Sequence, residues 1–460
     1  MGAPGRERTG TGQVVQRHSF GADGHRPIGS LALLAYLEGS CPTTQPGRQR
    51  GEAFGGQRRI DGHAAQITRL QSVVVKTDST AIDNHQAQRP TAESRYAEEL
   101  AVLAALEGPR PPGWRLTPRA VVDFICGTGT GDAVAVEPKF VGDRRLVERC
   151  VVTLAGSRGL LLVGEPGTAK SMLSELLAAA VSGTSELTVQ GSAGTTEDQL
   201  RYGWNYGMLL ASGPSEQALV PSPVMTAMRT GQVVRIEEIT RCLPEIQDAI
   251  VPLLSERRLA VPELGAFSVE AAPGFCVIGT ANLRDKGVSE MSAALKRRFS
   301  FEAVDPIPDR DLEIDLVTRQ TSDALIAAGL PDSVDGPLVD ALVTVMRDLR
   351  RGVTDEGWAV ERPSTVMSTA ETVAISQSLA LSAAFFPPAD ATAGAASLLP
   401  GHLLGAVRKD DDKDAARLQA YWDATVRRRA GENGDGNDQS GRDDAHLWRR
   451  MWDHRGDLQE

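Results

Sequence analysis

Up to about Pro90 the apolar positions keep neither a 3.6-residue nor a 2-residue period, apart from one short patch, Leu31-Ala32-Leu33-Leu34-Ala35-Tyr36-Leu37. Gly, Arg, Gln and Thr dominate there, and such a stretch buries too little apolar surface to offset the entropy of ordering it. Residues 1–90 are therefore expected to be disordered, or to be upstream sequence carried by a misplaced start codon. At Ala92 the texture changes. Tyr96 to Leu106 has helical spacing and strong helix formers, and Pro109, Pro111 and Pro112 stop it. A second helix is expected from near Pro118, and a third runs from the turn at Phe140 to Leu154. Beyond them short apolar runs of strand character, Leu160-Leu161-Leu162-Val163, Leu187 to Gln190, Gln232 to Ile236, Phe275 to Thr280 and a last one from Phe299, alternate with helical stretches such as Leu243 to Leu254. This rhythm predicts a three-layer α/β domain with a parallel sheet over 91–308. Residues 309–430 then read as a small all-α domain. A polar tail, 431–460, ends in one short helix with Leu447, Trp448, Met451 and Trp452 at neighbouring i, i+3 and i+4 positions, placed to dock either on the helical domain or on a partner.

Directly after the first apolar run stands Gly164-Glu165-Pro166-Gly167-Thr168-Ala169-Lys170-Ser171, and directly after that the helix former Met172-Leu173-Ser174-Glu175-Leu176-Leu177. A strand, a small-residue loop and a helix in this order let backbone N–H groups turn inward around phosphates, with the positive end of the helix dipole at the same spot. Lys170 would reach the β- and γ-phosphates, and the Ser171 hydroxyl would hold Mg²⁺. Ala169 stands where a second glycine is usual. Hydrolysis also needs an acid on the metal side and a base for water. Both sit at the end of Val233 to Ile239: Glu237 as the Mg²⁺-side acid and Glu238 as the water-orienting base. The next strand ends in Thr280-Ala281-Asn282, which would bring the Asn282 amide to the γ-phosphate or the attacking water. Ala294-Leu295-Lys296-Arg297-Arg298-Phe299 puts two arginines at a helix end, where one could reach a neighbouring subunit's nucleotide.

These four segments in this order resemble an AAA+ ATPase, and more narrowly the MoxR family. The resemblance spans roughly Ala92 to Leu381. It implies that Phe140-Val141-Gly142 lies on the adenine side, that Asn282 is sensor 1, and that Arg298, or else Arg297, is the arginine finger. The nucleotide-binding residues it carries over are Val141, Gly142 and Gly164 to Met172. The family has Asp before the catalytic Glu, so Glu237 is one methylene longer, moving the carboxylate by about 1.5 Å. A sensor 2 arginine is expected at the start of a lid helix; Arg362 in Glu361-Arg362-Pro363-Ser364 is one candidate, and Ser368-Thr369-Ala370-Glu371 is another helix start without an arginine. The segment Gly191 to Tyr206 sits where relatives carry a pore-facing insertion, and Tyr202, Trp204 and Tyr206 alternate like one face of a hairpin or of a packed turn. The resemblance further implies ATP and Mg²⁺, a homo-oligomeric, hexameric ring, and chaperone-like remodelling, assembly or activation of a protein client, often with a von Willebrand factor A domain protein. A nucleotide-dependent scaffold with little hydrolysis and a nucleic-acid motor are the rival readings.

Charge bears on the last of these. Residues 1–90 carry a net +4, leaving −15 on the rest of a chain whose total is −11. An acidic body opposes a general grip on nucleic acid. The cysteines, Cys41, Cys126, Cys150, Cys242 and Cys276, follow neither zinc nor disulfide spacing, which fits a reducing cytoplasm. No run approaches the ~20 apolar residues of a membrane span.

Overall fold

The computed structural model describes residues 89–129, 134–282, 289–388, 394–409, 411–432 and 439–458. The expectation for 1–90 thus lies, but for Arg89 and Pro90, outside the described residues, as does the polar stretch 433–438.

Nine strands are described: β1 (Gly159–Val163), β2 (Thr188–Gln190), β3 (Tyr202–Trp204), β4 (Leu219–Pro221), β5 (Val233–Glu237), β6 (Arg258–Ala260), β7 (Ser268–Glu270), β8 (Cys276–Ala281) and β9 (Phe299–Ala303). Five of them form one parallel sheet in the order β2-β5-β8-β1-β9. Leu160 stands opposite Ile278 and Ser300, and Val233 opposite Cys276. The central strands are buried on both faces, which is why they read as continuous apolar runs instead of alternating. On one face lie α1 (Pro118–Cys126), α2 (Arg144–Ala155) and α3 (Lys170–Ser182), contributing Phe124, Ile125, Leu146, Leu173 and Leu177 to the core. The other face is covered by α4 (Pro223–Thr230) and the short helix Ile250–Ser255, through Met225, Met228, Ile250 and Leu253. Helix starts follow local chemistry. Thr117 caps α1 by accepting from the Ala120 N–H, Asp143 caps α2 from Arg145, and Ser222 caps α4 from Met225.

Two sequence expectations divide in the structure. Tyr96 leaves helical geometry at φ −116° and breaks the first helical stretch into Ala92–Arg95 and Ala97–Ala104. The hairpin reading holds for Tyr202 and Trp204, whose rings meet edge to face at 6.0 Å on β3, paired antiparallel with β4. Tyr206 leaves that face. The Asn205 side chain accepts from the Met208 N–H and starts the helix Tyr206–Ser212, so the third aromatic turns outward and is 69% exposed.

After the sheet the chain is helical: α5 (Arg310–Ala327), α6 (Gly336–Arg351), α7 (Thr369–Phe385), α8 (Leu399–Val407), α9 (Asp412–Tyr421), a π-helical turn Trp422–Val426, and α10 (Gln439–Asp453). Their shared core includes Leu342, Met346, Leu379, Leu403 and Trp422. Of the two docking options for the tail helix, its own helical layer is the one taken: Leu447, Trp448 and Met451 are buried in that core, and the Trp422 indole donates to Met451 O. Buried charges inside the layer are paired. Glu313 accepts from Arg347, Arg350 and Thr369, and Asp414 accepts from Ser364, Thr365 and Arg417. Among the described residues no helix is long and apolar enough to cross a membrane.

Candidate nucleotide site

The loop between β1 and α3 has the geometry that its small residues permit. A Cβ on Gly164 would lie 2.3 Å from Val304 O, so only glycine fits beside β9's exit. Gly167 takes φ 75° and Ala169 φ 62°, both left-handed. A glycine is usual at position 169 because this conformation strains a residue with a Cβ by roughly 1–2 kcal/mol; Ala169 carries that strain. Lys170 folds back over the loop, its Nζ donating to Glu165 O at 2.6 Å. Burial draws the Lys170 ammonium below the ordinary lysine value, against the opposing pull of Glu238 and Glu237.

Glu237 ends β5 and is buried, with four donors on its two carboxylate oxygens. Oε2 accepts from Ser171 Oγ at 2.8 Å and Thr280 Oγ1 at 2.7 Å. Oε1 accepts from Ser174 Oγ at 2.6 Å and Arg235 Nη2 at 2.7 Å. Burial alone would raise this carboxyl; the bonds from Ser174, Thr280, Arg235 and Ser171 outweigh it and hold Glu237 below the ordinary carboxylate range. A hydroxyl and a carboxylate 2.8 Å apart are hard oxygen ligands of the kind Mg²⁺ takes alongside phosphates, and one or two carboxylates suffice for such a site. Among the described residues no group of three or more His, Cys, Asp or Glu could hold a metal by itself.

Glu238 sits at the corner after the strand, at φ 53° and ψ 45°. Left-handed backbone at a non-glycine residue persists only where its surroundings hold it, and here the Glu238 N–H donates to Thr280 Oγ1 at 2.9 Å. Thr280 therefore fixes both acids. The Glu238 carboxylate is ion-paired with Arg241. Asn282 follows the last residue of β8, the strand beside β5, and so lies at the same edge of the sheet at which Glu237 ends β5.

The remaining expected residues fall less evenly. Phe140 is buried and donates its N–H to Ile125 O, while Val141 is half-buried and Gly142 exposed beside the Phe140 ring. Met172 points outward at 37% exposure. Arg298 is held within the chain, donating to Ser255 Oγ and to Ala294 O at 2.6 Å. Arg297 is exposed and has no ion-pair partner among the described residues. Arg362 lies over Gly352 at the end of α6. The helix start that meets the phosphate loop is the other candidate: Ser368 and Ala370 abut Gly167. Sequence reasoning gave no role to Arg235, Ser174, Thr280 or Arg241, all of which the site uses.

A parallel sheet with a phosphate loop after β1 and paired acids ending β5, followed by a helical layer that touches the loop, defines an AAA+ ATPase. Residues 159–299 match the AAA domain (dynein-related subfamily), and residues 311–459 match the YehL-like AAA+ ATPase C-terminal domain. YehL of Escherichia coli (strain K12) is 45% identical over 346 residues, covering 75% of this chain and 94% of that protein. The chain belongs to the family of YehL-like AAA+ ATPases. The protein SH1500 of Staphylococcus haemolyticus (strain JCSC1435) is 33% identical over 173 residues, 37% of this chain and 65% of that one. NtrX from Brucella abortus in complex with ADP is similar at a TM-score of 0.42 and 14% identity, covering 68% of this chain and 69% of that chain.

Proposed function

We propose that this chain binds ATP with Mg²⁺ and hydrolyses it in a homo-oligomeric ring of six subunits, and that the ring remodels, assembles or activates a protein client, the work implied by the resemblance to the MoxR family. The observation that carries the reading is the bond between Ser171 of the phosphate loop and Glu237 of the acid strand. The loop N–H groups and Lys170 bind the phosphates. Ser171 and Glu237 would hold Mg²⁺, which supplies charge neutralisation of the β- and γ-phosphate oxygens. Glu238, released from Arg241, accepts the proton of the attacking water and orients it, and Asn282 steadies the same water or the γ-phosphate. Arg297, exposed just after Ala293–Lys296, supplies charge to a neighbouring subunit's nucleotide; Arg298, which donates through Nε to Ser255 and through Nη1 to Ala294 O, braces that helix end. A von Willebrand factor A domain protein is the partner we expect beside the client, and the cytoplasm the compartment.

Glu238→Gln tests the reading. An active motor keeps nucleotide binding and loses turnover by about 10²–10⁴-fold, the share of a general base. A second reading, a nucleotide-gated scaffold with little hydrolysis, draws on the Glu238–Arg241 pair, which engages the base. Under that reading phosphate release is already at background and the variant changes nothing.

A further inference from the structure

Arg235 stands two residues before Glu237 on β5, so both side chains leave the same face of the strand. It is 9% exposed in the middle of a strand that is apolar except for Glu237 at its end, and the sheet ladder does not need it. Its guanidinium turns to the phosphate-loop helix. Nε donates to Ser174 Oγ at 2.9 Å, Nη1 to Ser185 O at 3.1 Å, and Nη2 to Ser171 O at 3.2 Å and to Glu237 Oε1 at 2.7 Å. Glu237 is thereby divided between two sets of donors. Oε1 belongs to Arg235 and Ser174; Oε2 belongs to Ser171 and Thr280. A serine hydroxyl has one hydrogen and two lone pairs, so Ser171, donating to Oε2, keeps acceptor capacity for a cation. An aspartate, shorter by one methylene, would withdraw from this set. Glutamate at 237 and arginine at 235 are a matched pair.

We propose that Arg235 sets the divalent-cation affinity of the nucleotide site by its charge: a fixed cation paired with Glu237 through Oε1, with Oε2 left to the Ser171 hydroxyl, it offsets the charge of the metal-side acid and weakens the hold of the site on a divalent cation. The proposal rests on the Mg²⁺–ATP reading above. A buried cation is poorly screened by salt, so its repulsion of a second cation persists at physiological ionic strength. An arginine that merely riveted β5 to α3 would change stability on removal and would leave the metal dependence of nucleotide binding where it was.

The experiment is a Mg²⁺ titration of mant-ATP binding by the full chain, beside a metal-free measurement in EDTA and a melting curve, for the wild type, Arg235→Gln, Arg235→Met and Arg235→Lys. The uncharged variants are expected to need about tenfold less Mg²⁺ for the half-maximal effect and, because the same cation attracts the triphosphate, to bind mant-ATP in EDTA no more tightly than wild type. Arg235→Lys keeps the charge and is expected to keep the wild-type midpoint, whatever its melting temperature. A folded Gln or Met variant with the wild-type midpoint overturns the proposal, and so does a Lys variant that shifts with them. Gln and Met variants that fail to fold, beside a Lys variant of wild-type midpoint and reduced stability, assign Arg235 to folding alone and also overturn it. A wild-type chain that does not bind mant-ATP, or binds it equally after Lys170→Ala, defeats the nucleotide reading instead.

Discussion

Gly167 of the phosphate loop packs directly on Ser368, the cap of α7: a Cβ built on the glycine would lie 2.2 Å from Ser368 Oγ and 2.6 Å from its Cβ. The helical layer therefore reads the loop by backbone contact, with no arginine at that helix start. Gly167→Ala is expected to separate the two, both by this clash and because φ 75° strains a residue with a Cβ, at a combined cost of about 1–3 kcal/mol. Ser368→Gly alone should cost only a few tenths of a kcal/mol as a cap change. Added to Gly167→Ala, it should recover part of the loss, and a double-mutant cycle on melting temperature and mant-ATP affinity checks this. Strict additivity would show that the contact carries no coupling.

Glu313 ties three helices together from a fully buried position. Burial pushes its carboxyl up, but the bonds from Arg350, Thr369 and Arg347 prevail and hold it below the usual range. A carboxyl lowered in the folded state stabilises fully above its unfolded value, about pH 4, and loses that contribution as the pH falls through the folded value. Melting temperature should therefore drop on acidification below about pH 4. Glu313→Gln should be less stable by about 3 kcal/mol at neutral pH, because it leaves two arginines without their counter-ion, and its melting should vary less with acid. Parallel wild-type and variant curves from pH 7 to pH 3 would refute the assignment.

How much of this was legible in the sequence depended on distance along the chain. The phosphate loop was legible because strand, loop and helix are contiguous, and the acid pair because it ends an apolar run. Arg235 belongs to none of the motifs read along the chain. Its two-residue spacing from Glu237 was the available signal, since period two puts both on one face. The Gly167–Ser368 contact joins segments separated along the chain by the other four strands of the parallel sheet and has no local signature. The alternation of Tyr202, Trp204 and Tyr206 suggests one face, of a hairpin or of a packed turn, whereas Asn205, a good helix cap, starts a helix at Tyr206. For the arginine finger the resemblance implies Arg298, or else Arg297; the bonds of Arg298 to Ser255 and Ala294 are what favours Arg297 in the reading proposed above.

Trp422 shows why the last helix belongs to the helical layer. It is fully buried, and its indole hydrogen bond to Met451 O closes α10 over the core. Trp422→Ala is expected to lower stability by about 3–5 kcal/mol. A chain truncated after residue 432, losing Leu447, Trp448, Met451 and Leu458, should be destabilised at least as much. Urea unfolding followed by circular dichroism checks both, and a truncated chain of wild-type stability would contradict the packing described.

The central claim, an ATPase completed by a neighbouring subunit, is tested most directly by steady-state phosphate release with Mg²⁺-ATP over a protein concentration series, for the wild type, Lys170→Ala and Arg297→Ala. The account predicts activity per subunit that rises with concentration, vanishes in Lys170→Ala, and falls by about 10³-fold or more in Arg297→Ala with nucleotide binding retained. Phosphate release no greater than that of Lys170→Ala at every concentration, from a chain that binds ATP, would contradict it.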